Sequence, residues 1–242
     1  MILAVDAGNS RIKWGLRQAD GSWTALGAAP VDELERAYDA WARMPAPTRI
    51  AIANVAGSAV RETVIDLAGR WPVQPLWLST GVQACGVTND YENPQQLGVD
   101  RWAALIAAWA CQRRECLVVM AGTATTVDVL DAGGVFRGGL IMPGLGLMKR
   151  SLADHTAALK LTRGDYREQP RNTADAMESG CISAQVGAIE RMHRQLAPDA
   201  CCVISGGGAA TLVPHLRVPT VVVQNLVLEG VVALADEAGH SS

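Results

Sequence analysis

An apolar run that breaks at a glycine turn carrying small polar side chains occurs twice in this chain. The first copy is Val5-Asp6-Ala7-Gly8-Asn9-Ser10, and the second, 114 positions on, is Val119-Met120-Ala121-Gly122-Thr123-Ala124-Thr125-Thr126. The copies continue alike. The first runs through Arg11-Ile12-Lys13-Trp14-Gly15-Leu16 to a turn at Asp20-Gly21, the second through Val127-Asp128-Val129-Leu130 to a turn at Asp131-Ala132-Gly133-Gly134. Each half therefore reads as strand, tight turn, strand, turn, strand. A chain that repeats such a unit is expected to fold as two similar domains, cut here at 1–115 and 116–242. Glycine lets backbone N–H groups approach a phosphate without a Cβ in the way, so a pair of such loops suits a nucleoside triphosphate held from both sides. Taken singly, each loop is equally well an ordinary hairpin turn.

Between and after these units the pattern alternates strand with helix. Leu34, Ala37, Tyr38 and Trp41 fall on one helical face, Arg49 to Val55 reads as a strand, and a helix opens at Gly57-Ser58. The polar stretch Thr88 to Gly98 reads as a loop feeding a helix from Arg101. In the second half a long helix is expected from about Asn172 to Leu196, then a strand at Cys202 to Ser205, three glycines with a helix to about His215, and a closing helix from about Leu226. This alternation is the signature of an α/β fold, a mixed sheet covered by helices in each half.

Composition removes several classes of function. With 21 basic against 24 acidic residues and no cationic stripe, nucleic acid is not expected as a partner. No uncharged apolar run approaches the roughly 18 residues of a membrane span, and the apolar start ends at Asp6 without the basic opening of a secretion signal, so a cytoplasmic protein is expected. The six cysteines form neither a CxxC pair nor a zinc-like cluster and read as small core residues. His155, His193, His215 and His240 are scattered, and the tryptophans read as core, with Trp102 a candidate pocket wall beside Arg101.

Three places carry candidate chemistry. Asp6 closes an otherwise apolar strand, and a buried carboxylate there needs a cation or backbone donors: a phosphate-bound magnesium or its own glycine turn would serve. In Gly98-Val99-Asp100-Arg101, where loop becomes helix, Asp100 suits a base accepting a hydroxyl proton and Arg101 a fork gripping a carboxylate. The alternatives are a helix cap at Asp100 and a solvated Arg101. Ser205-Gly206-Gly207-Gly208-Ala209 leaves bare backbone for a flat ligand, or simply a tight strand-to-helix turn. Neither a dinucleotide fingerprint nor a GxxxxGK[ST] loop is present.

These motifs, together with Tyr91-Glu92-Asn93-Pro94, Leu97, Gly138-Gly139, Pro143-Gly144, Asn172-Thr173, Gly180 and Asn225-Leu226-Val227-Leu228-Glu229-Gly230, resemble in order and spacing the type III pantothenate kinases over nearly the whole chain. The resemblance implies two ribonuclease-H-like domains of the actin-like, sugar-kinase and heat-shock-protein superfamily with ATP in an interdomain cleft. It implies ATP-dependent phosphorylation of pantothenate to 4′-phosphopantothenate, the first step of coenzyme A synthesis, by a homodimer. By the same resemblance Asp6, Gly8, Asn9, Ser10 and Lys13 form the first phosphate loop, with Asp6 toward magnesium directly or through water. Gly122, Thr123, Ala124 and Thr125 form the second, and Gly206, Gly207 and Gly208 flank the nucleoside. Tyr91, Gly98, Val99 and Arg101 hold pantothenate, Asp100 takes its hydroxyl proton, and Thr173 reaches a neighbouring subunit's pocket. One position departs: the family usually has Asp where this chain has Met120, so the site for potassium or ammonium is expected to be missing or rebuilt. Two other readings stay open, a kinase of the same superfamily for another small hydroxylated substrate and a nucleotide-binding regulator without catalysis.

Overall fold

The computed structural model describes residues 1–156 and 159–240. It divides into two compact units, Met1–Cys111 with the closing segment from Asn225, and Gln112–Gln224.

The first unit begins with β1 (Ile2–Ala7), β2 (Arg11–Arg17) and β3 (Trp23–Pro30), followed by α1 (Glu35–Ala42), β4 (Arg49–Asn54), α2 (Ser58–Ala68) and β5 (Leu76–Trp77). Its sheet runs β3-β2-β1-β4-β5. β1 pairs antiparallel with β2 and parallel with β4, so it lies at the centre, and all six of its residues are buried. On one face Leu3, Val5, Ile12, Trp14 and Leu16 pack with Val64 and Leu67 of α2 and with Trp41 of α1. Trp41 meets Trp14 edge-on at 6.2 Å and stacks on Trp71 at 5.8 Å, an arrangement aromatic quadrupoles favour. Tyr38 departs from the expected buried helical face: Ala37 and Trp41 turn inward while Tyr38 stays 36% exposed.

Beyond β5 lies a hairpin, β6 (Gln83–Ala84) and β7 (Val87–Asn89), then a 3₁₀ turn at Pro94–Gln96 and α3 (Val99–Gln112). Only residues 88–89 of the hairpin overlap the stretch expected from sequence to be a loop, and no element is expected from sequence over the rest of the hairpin. Its turn is Cys85-Gly86, with φ of 51° and 79°, the two positive values a two-residue hairpin turn needs. Cysteine at the first of these positions carries no turn signal.

The second unit repeats the plan with β8 (Cys116–Ala121), β9 (Ala124–Leu130), β10 (Val135–Pro143), α4 (Leu145–His155), α5 (Thr173–His193), β11 (Cys201–Ser205), α6 (Ala209–Leu212) and β12 (Thr220–Val222). These five strands run β12-β11-β8-β9-β10, the mirror listing of β3-β2-β1-β4-β5. The pairings match one for one: β8 is antiparallel to β9 and parallel to β11, as β1 is to β2 and β4. Leu117, Val119, Val127, Cys202 and Ile204 pack with Ile182 and Ile189 of α5. Instead of one helix to His215, α6 makes a single α-turn that tightens into a 3₁₀ turn at Val213–His215, with Pro214 inside it.

The closing helix α7 (Leu226–His240) groups with the first unit, whereas a single cut after residue 115 would leave it with the second. It is held there by Glu229, whose Oε1 accepts from Arg17 Nη1 at 3.1 Å and Trp23 Nε1 at 2.6 Å. Further along α7, Asp236 pairs with Arg49, and Glu237 accepts from the Cys85 N–H at 2.7 Å.

Candidate active site

In the first unit, the end of β1 and the start of α3 bring one set of predicted residues together. Asp6 and Lys13 are direct partners across the β1–β2 ladder, and Lys13 Nζ lies 3.9 Å from Asp6 Oδ2. Asp6 is buried, and this burial pushes its carboxyl up to about 6, against the attraction of Lys13 and with the charge of Asp100 adding to the rise. That mutual influence places the two carboxylates in one electrostatic neighbourhood. The turn after β1 closes through Gly8 N–H to Arg11 O at 3.1 Å, while Asn9 and Ser10 are exposed at its tip.

Asp100 sits in the first turn of α3, one residue inside the helix, and its Oδ1 accepts the Arg101 N–H at 2.8 Å. The capping alternative thus accounts for part of what this carboxylate does. A Cβ at position 98 would lie 2.5 Å from Asp100 Oδ1, so Gly98 is what allows the carboxylate to fold back over the helix start. Val99 is buried beside it. Arg101 is also buried, not solvated, and its Nη2 donates to Tyr91 Oη at 3.3 Å. The guanidinium lies 5.8 Å from the centre of the Tyr91 ring. Trp102 is fully buried in the core and does not line an open surface.

Two buried polar residues missed from sequence hold this segment rigid. Asn89 donates to Gly81 O and Pro94 O at 3.3 and 3.2 Å and accepts the Tyr91 N–H at 3.2 Å, and Thr80 Oγ1 donates to Leu97 O at 2.7 Å. A loop whose carbonyls are satisfied by buried side chains holds its shape before a ligand arrives.

In the second unit, Gly122 and Thr123 are exposed at the tip of the β8–β9 turn, which closes through Gly122 N–H to Ala124 O at 3.0 Å. Gly144 N–H to Thr123 O, at 2.8 Å, braces it from the start of α4. Ala124 is exposed, but Thr125 faces inward: it is buried and its hydroxyl donates to Gln185 Oε1 at 2.9 Å. Gln185 Nε2 in turn donates to Pro143 O at 3.0 Å. Thr125 therefore fixes the loop from behind. Gln185, a lone amide among small and apolar residues of α5, was the available signal for this support.

The three glycines lie against the same loop. Gly208 N–H donates to Ala121 O at 2.9 Å, and Gly206, at φ +99°, comes so near that a Cβ there would stand 2.4 Å from the same oxygen. Gly207 is exposed with open space where its side chain would be. Beyond it, Ala210 and Thr211 of α6 form one wall of a hollow of about 590 Å³, whose other walls include Lys149, Gly164, Tyr166 and His215. Tyr166 and His215 pair ring to ring at 3.9 Å, and Lys149 is held by Glu178 at 2.8 Å. This hollow depends on the 160–171 connector folding onto α5 and carries no motif in the sequence. Thr173 is exposed as the first residue of α5, after Asn172, which caps the helix by accepting the Asp175 N–H at 2.9 Å.

Asp6 fits a magnesium ion of the kind that phosphates largely hold, since such an ion takes only one or two protein carboxylates and relieves a buried one. At Met120 the carboxylate that the resemblance gives a monovalent cation is absent. The ladder partners of Met120 are Thr126 and Ser205, so the strand end offers a thioether and hydroxyls, without a carboxylate, to an ion that prefers hard oxygen donors. Thr126 Oγ1 is buried there with no hydrogen-bond partner among the described residues.

A duplicated five-strand sheet with a glycine turn after each central strand is the architecture of the actin-like, sugar-kinase fold class, and here it sets an acidic helix start near a buried Asp and its partly exposed Lys partner. The comparisons narrow this. The sequence profile described as type III pantothenate kinase matches residues 2–195. A relative named type III pantothenate kinase, from Aromatoleum aromaticum, is 49% identical over 239 residues, covering 98% of each chain. The chain belongs to the type III pantothenate kinase family. Two solved structures share the fold. One, from Campylobacter jejuni, is described as a conserved Baf family transcriptional activator and superposes with a TM-score of 0.65 at 20% identity, covering 98% of this chain and 99% of its own. Another, from Sinorhizobium meliloti and described as a 2-dehydro-3-deoxygalactonokinase, gives a TM-score of 0.59 at 18% identity, covering 100% of this chain and 99% of its own.

Proposed function

We propose that this protein transfers the γ-phosphoryl group of ATP to the primary hydroxyl of pantothenate, giving 4′-phosphopantothenate and ADP. The observation that carries the reading is the cluster at the start of α3, where a carboxylate, a buried guanidinium and a tyrosine hydroxyl converge beside the end of β1. Phosphoryl transfer asks little covalent chemistry of a protein: it needs positioning, charge neutralisation and somewhere for the hydroxyl proton to go. Asp100 accepts that proton as the hydroxyl oxygen bonds to phosphorus and the bond to ADP breaks. Arg101, oriented by Tyr91, grips the substrate carboxylate, with Gly98 and Val99 shaping the same pocket.

Backbone N–H groups at Asn9, Ser10, Thr123 and Ala124 bind phosphate oxygens at the turns that Gly8 and Gly122 close, and Lys13 adds a positive charge. Thr125 serves from behind the loop. Magnesium, when bound through the phosphates and Asp6, neutralises charge on the transferring group. Gly206, Gly207 and Gly208 flank the nucleoside, and the hollow beyond them, with its Tyr166–His215 ring pair, accommodates the base.

The protein is further proposed to be a cytoplasmic homodimer whose Thr173 completes the neighbouring subunit's pocket. In support, Ile141 of β10 and Leu147 of α4 are exposed at 65% and 40%, and α4 has no buried residue of its own. Among the described residues no helix is long and apolar enough to cross a membrane. A substrate panel tests the activity. With ATP and magnesium, pantothenate should be turned over at least about 100-fold better in kcat/KM than a hexose or a sugar acid, the margin expected where a buried Arg and a positioned base both read the substrate. A sugar or sugar acid turned over best would overturn the proposal.

A further inference from the structure

The segment Asn225-Leu226-Val227-Leu228-Glu229-Gly230 has no place in the chemistry above, yet it carries one of the tightest backbone approaches in the molecule. A Cβ built on Gly230 would lie 1.8 Å from Ala103 O, 2.4 Å from Ala103 C and 2.7 Å from Ala103 Cα. These are backbone atoms of α3, so no side-chain rotation can relieve the contact. Ala103 stands one helical turn from Asp100, and α3 is buried continuously from Arg101 to Trp109. Glycine inside a helix is less favourable than alanine, and Gly230 lies in the body of α7. Its presence there is explained by α7 crossing α3 with the two backbones in contact.

We infer that Gly230 is a positioning residue for Asp100 and Arg101: the height at which α7 crosses α3 sets where the first turn of α3 presents its carboxylate and guanidinium. This rests on the proposed kinase reading. Glu229, the preceding residue, fixes the roll of α7 through Arg17 and Trp23, so the crossing is held both by close contact and by a hydrogen-bonded anchor.

The crossing distance converts into rate. Restoring an ordinary contact of about 3.4 Å or more between a Cβ and Ala103 O, from 1.8 Å, requires the helices to part by more than 1 Å, and a 1 Å misplacement of reacting groups can cost about 100-fold in rate. Gly230→Ala should therefore lower kcat for pantothenate by about 100-fold and raise its KM, while KM for ATP stays within about 2-fold. Val231→Ala is the control, because it removes core packing in the same helix while glycine stays at the crossing: Val231 is fully buried. It should lower the melting temperature and leave kcat within about 3-fold of wild type. Wild type is assayed first, and if it fails to phosphorylate pantothenate the kinase reading falls, whatever Gly230 does. With wild type active, a folded Gly230→Ala protein of unchanged kinetics overturns the inference, as does a Val231→Ala protein that loses activity in proportion to the same loss of melting temperature. Should Gly230→Ala not fold, Glu229→Ala takes its place: a 3- to 10-fold fall in kcat with KM for ATP unchanged is expected from a loosened roll of roughly a few tenths of an ångström, and wild-type kinetics would overturn the inference.

Discussion

Replacing Asp6 by Asn is expected to make the protein more stable and inactive at the same time. Burial raises the Asp6 carboxyl from 3.8 to about 6. At neutral pH the folded protein therefore holds a charge it would shed if it could, and a shift of this size corresponds to roughly 3 kcal/mol against folding. The attraction of Lys13, 3.9 Å away, is already contained in that shift. Because the folded-state value lies above the unfolded one, the stability associated with this group is fully present below about pH 3.8 and is lost as pH rises through about 6. Asparagine has the same shape and no charge. Allowing for the cost of burying its amide, Asp6→Asn should gain about 2 kcal/mol at pH 8, or roughly 4–8 °C in melting temperature for a chain of this size. The gain should shrink to near zero by pH 4.5, where wild-type Asp6 is largely protonated in the folded state and the remaining electrostatic penalty of about 1 kcal/mol is matched by the cost of burying the amide. Scanning calorimetry of both proteins across pH 4.5–8 measures it directly, beside a kinase assay in which the variant should lose most of its activity with its magnesium partner. A variant less stable than wild type at pH 8, or a stability gap that does not narrow in acid, would refute the electrostatic reasoning.

Asp100→Asn should lower kcat by about 10²–10⁴-fold with pantothenate KM nearly kept, and near-normal turnover would leave Asp100 with only its bond to the Arg101 N–H. Arg101→Ala should raise pantothenate KM by about 10-fold or more while KM for ATP is unchanged, and an unchanged pantothenate KM in steady-state kinetics would remove Arg101 from the carboxylate site. Exchanging potassium or ammonium for tetramethylammonium should alter the wild-type rate by less than about 2-fold, because a thioether stands at Met120, and a 10-fold potassium activation would contradict this. Activity should also fall as pH drops through about 6, where Asp6 takes up a proton before magnesium and nucleotide bind.

The duplicated sheet was legible because its signals are local: apolar runs, glycine turns and a repeat at fixed spacing. The strand ends that carry Asp6 and Met120, the turn residues after them and the helix start at Asp100 were found where the periodicity put them. What escaped depends on distant parts of the chain. The partition of α7 with the first unit follows from Glu229 meeting Arg17 and Trp23, more than 200 residues away in sequence. The β6–β7 hairpin turns at a cysteine that adopts a left-handed conformation without any compositional hint. Thr125 belongs to the second glycine loop by its motif, and what its sequence did not show is that strand alternation turns its side chain into the sheet's packed face to meet Gln185. Asn89 and Thr80 act through carbonyls up to 17 residues away, contacts that no sequence window reveals.

The most direct measurement is the product itself. Purified protein incubated with pantothenate, magnesium and ATP labelled in the γ-phosphate should pass the label to pantothenate, with one ADP formed for each 4′-phosphopantothenate seen by mass spectrometry. Nucleotide that binds while pantothenate stays unlabelled would contradict the account and leave a nucleotide-binding regulator in its place.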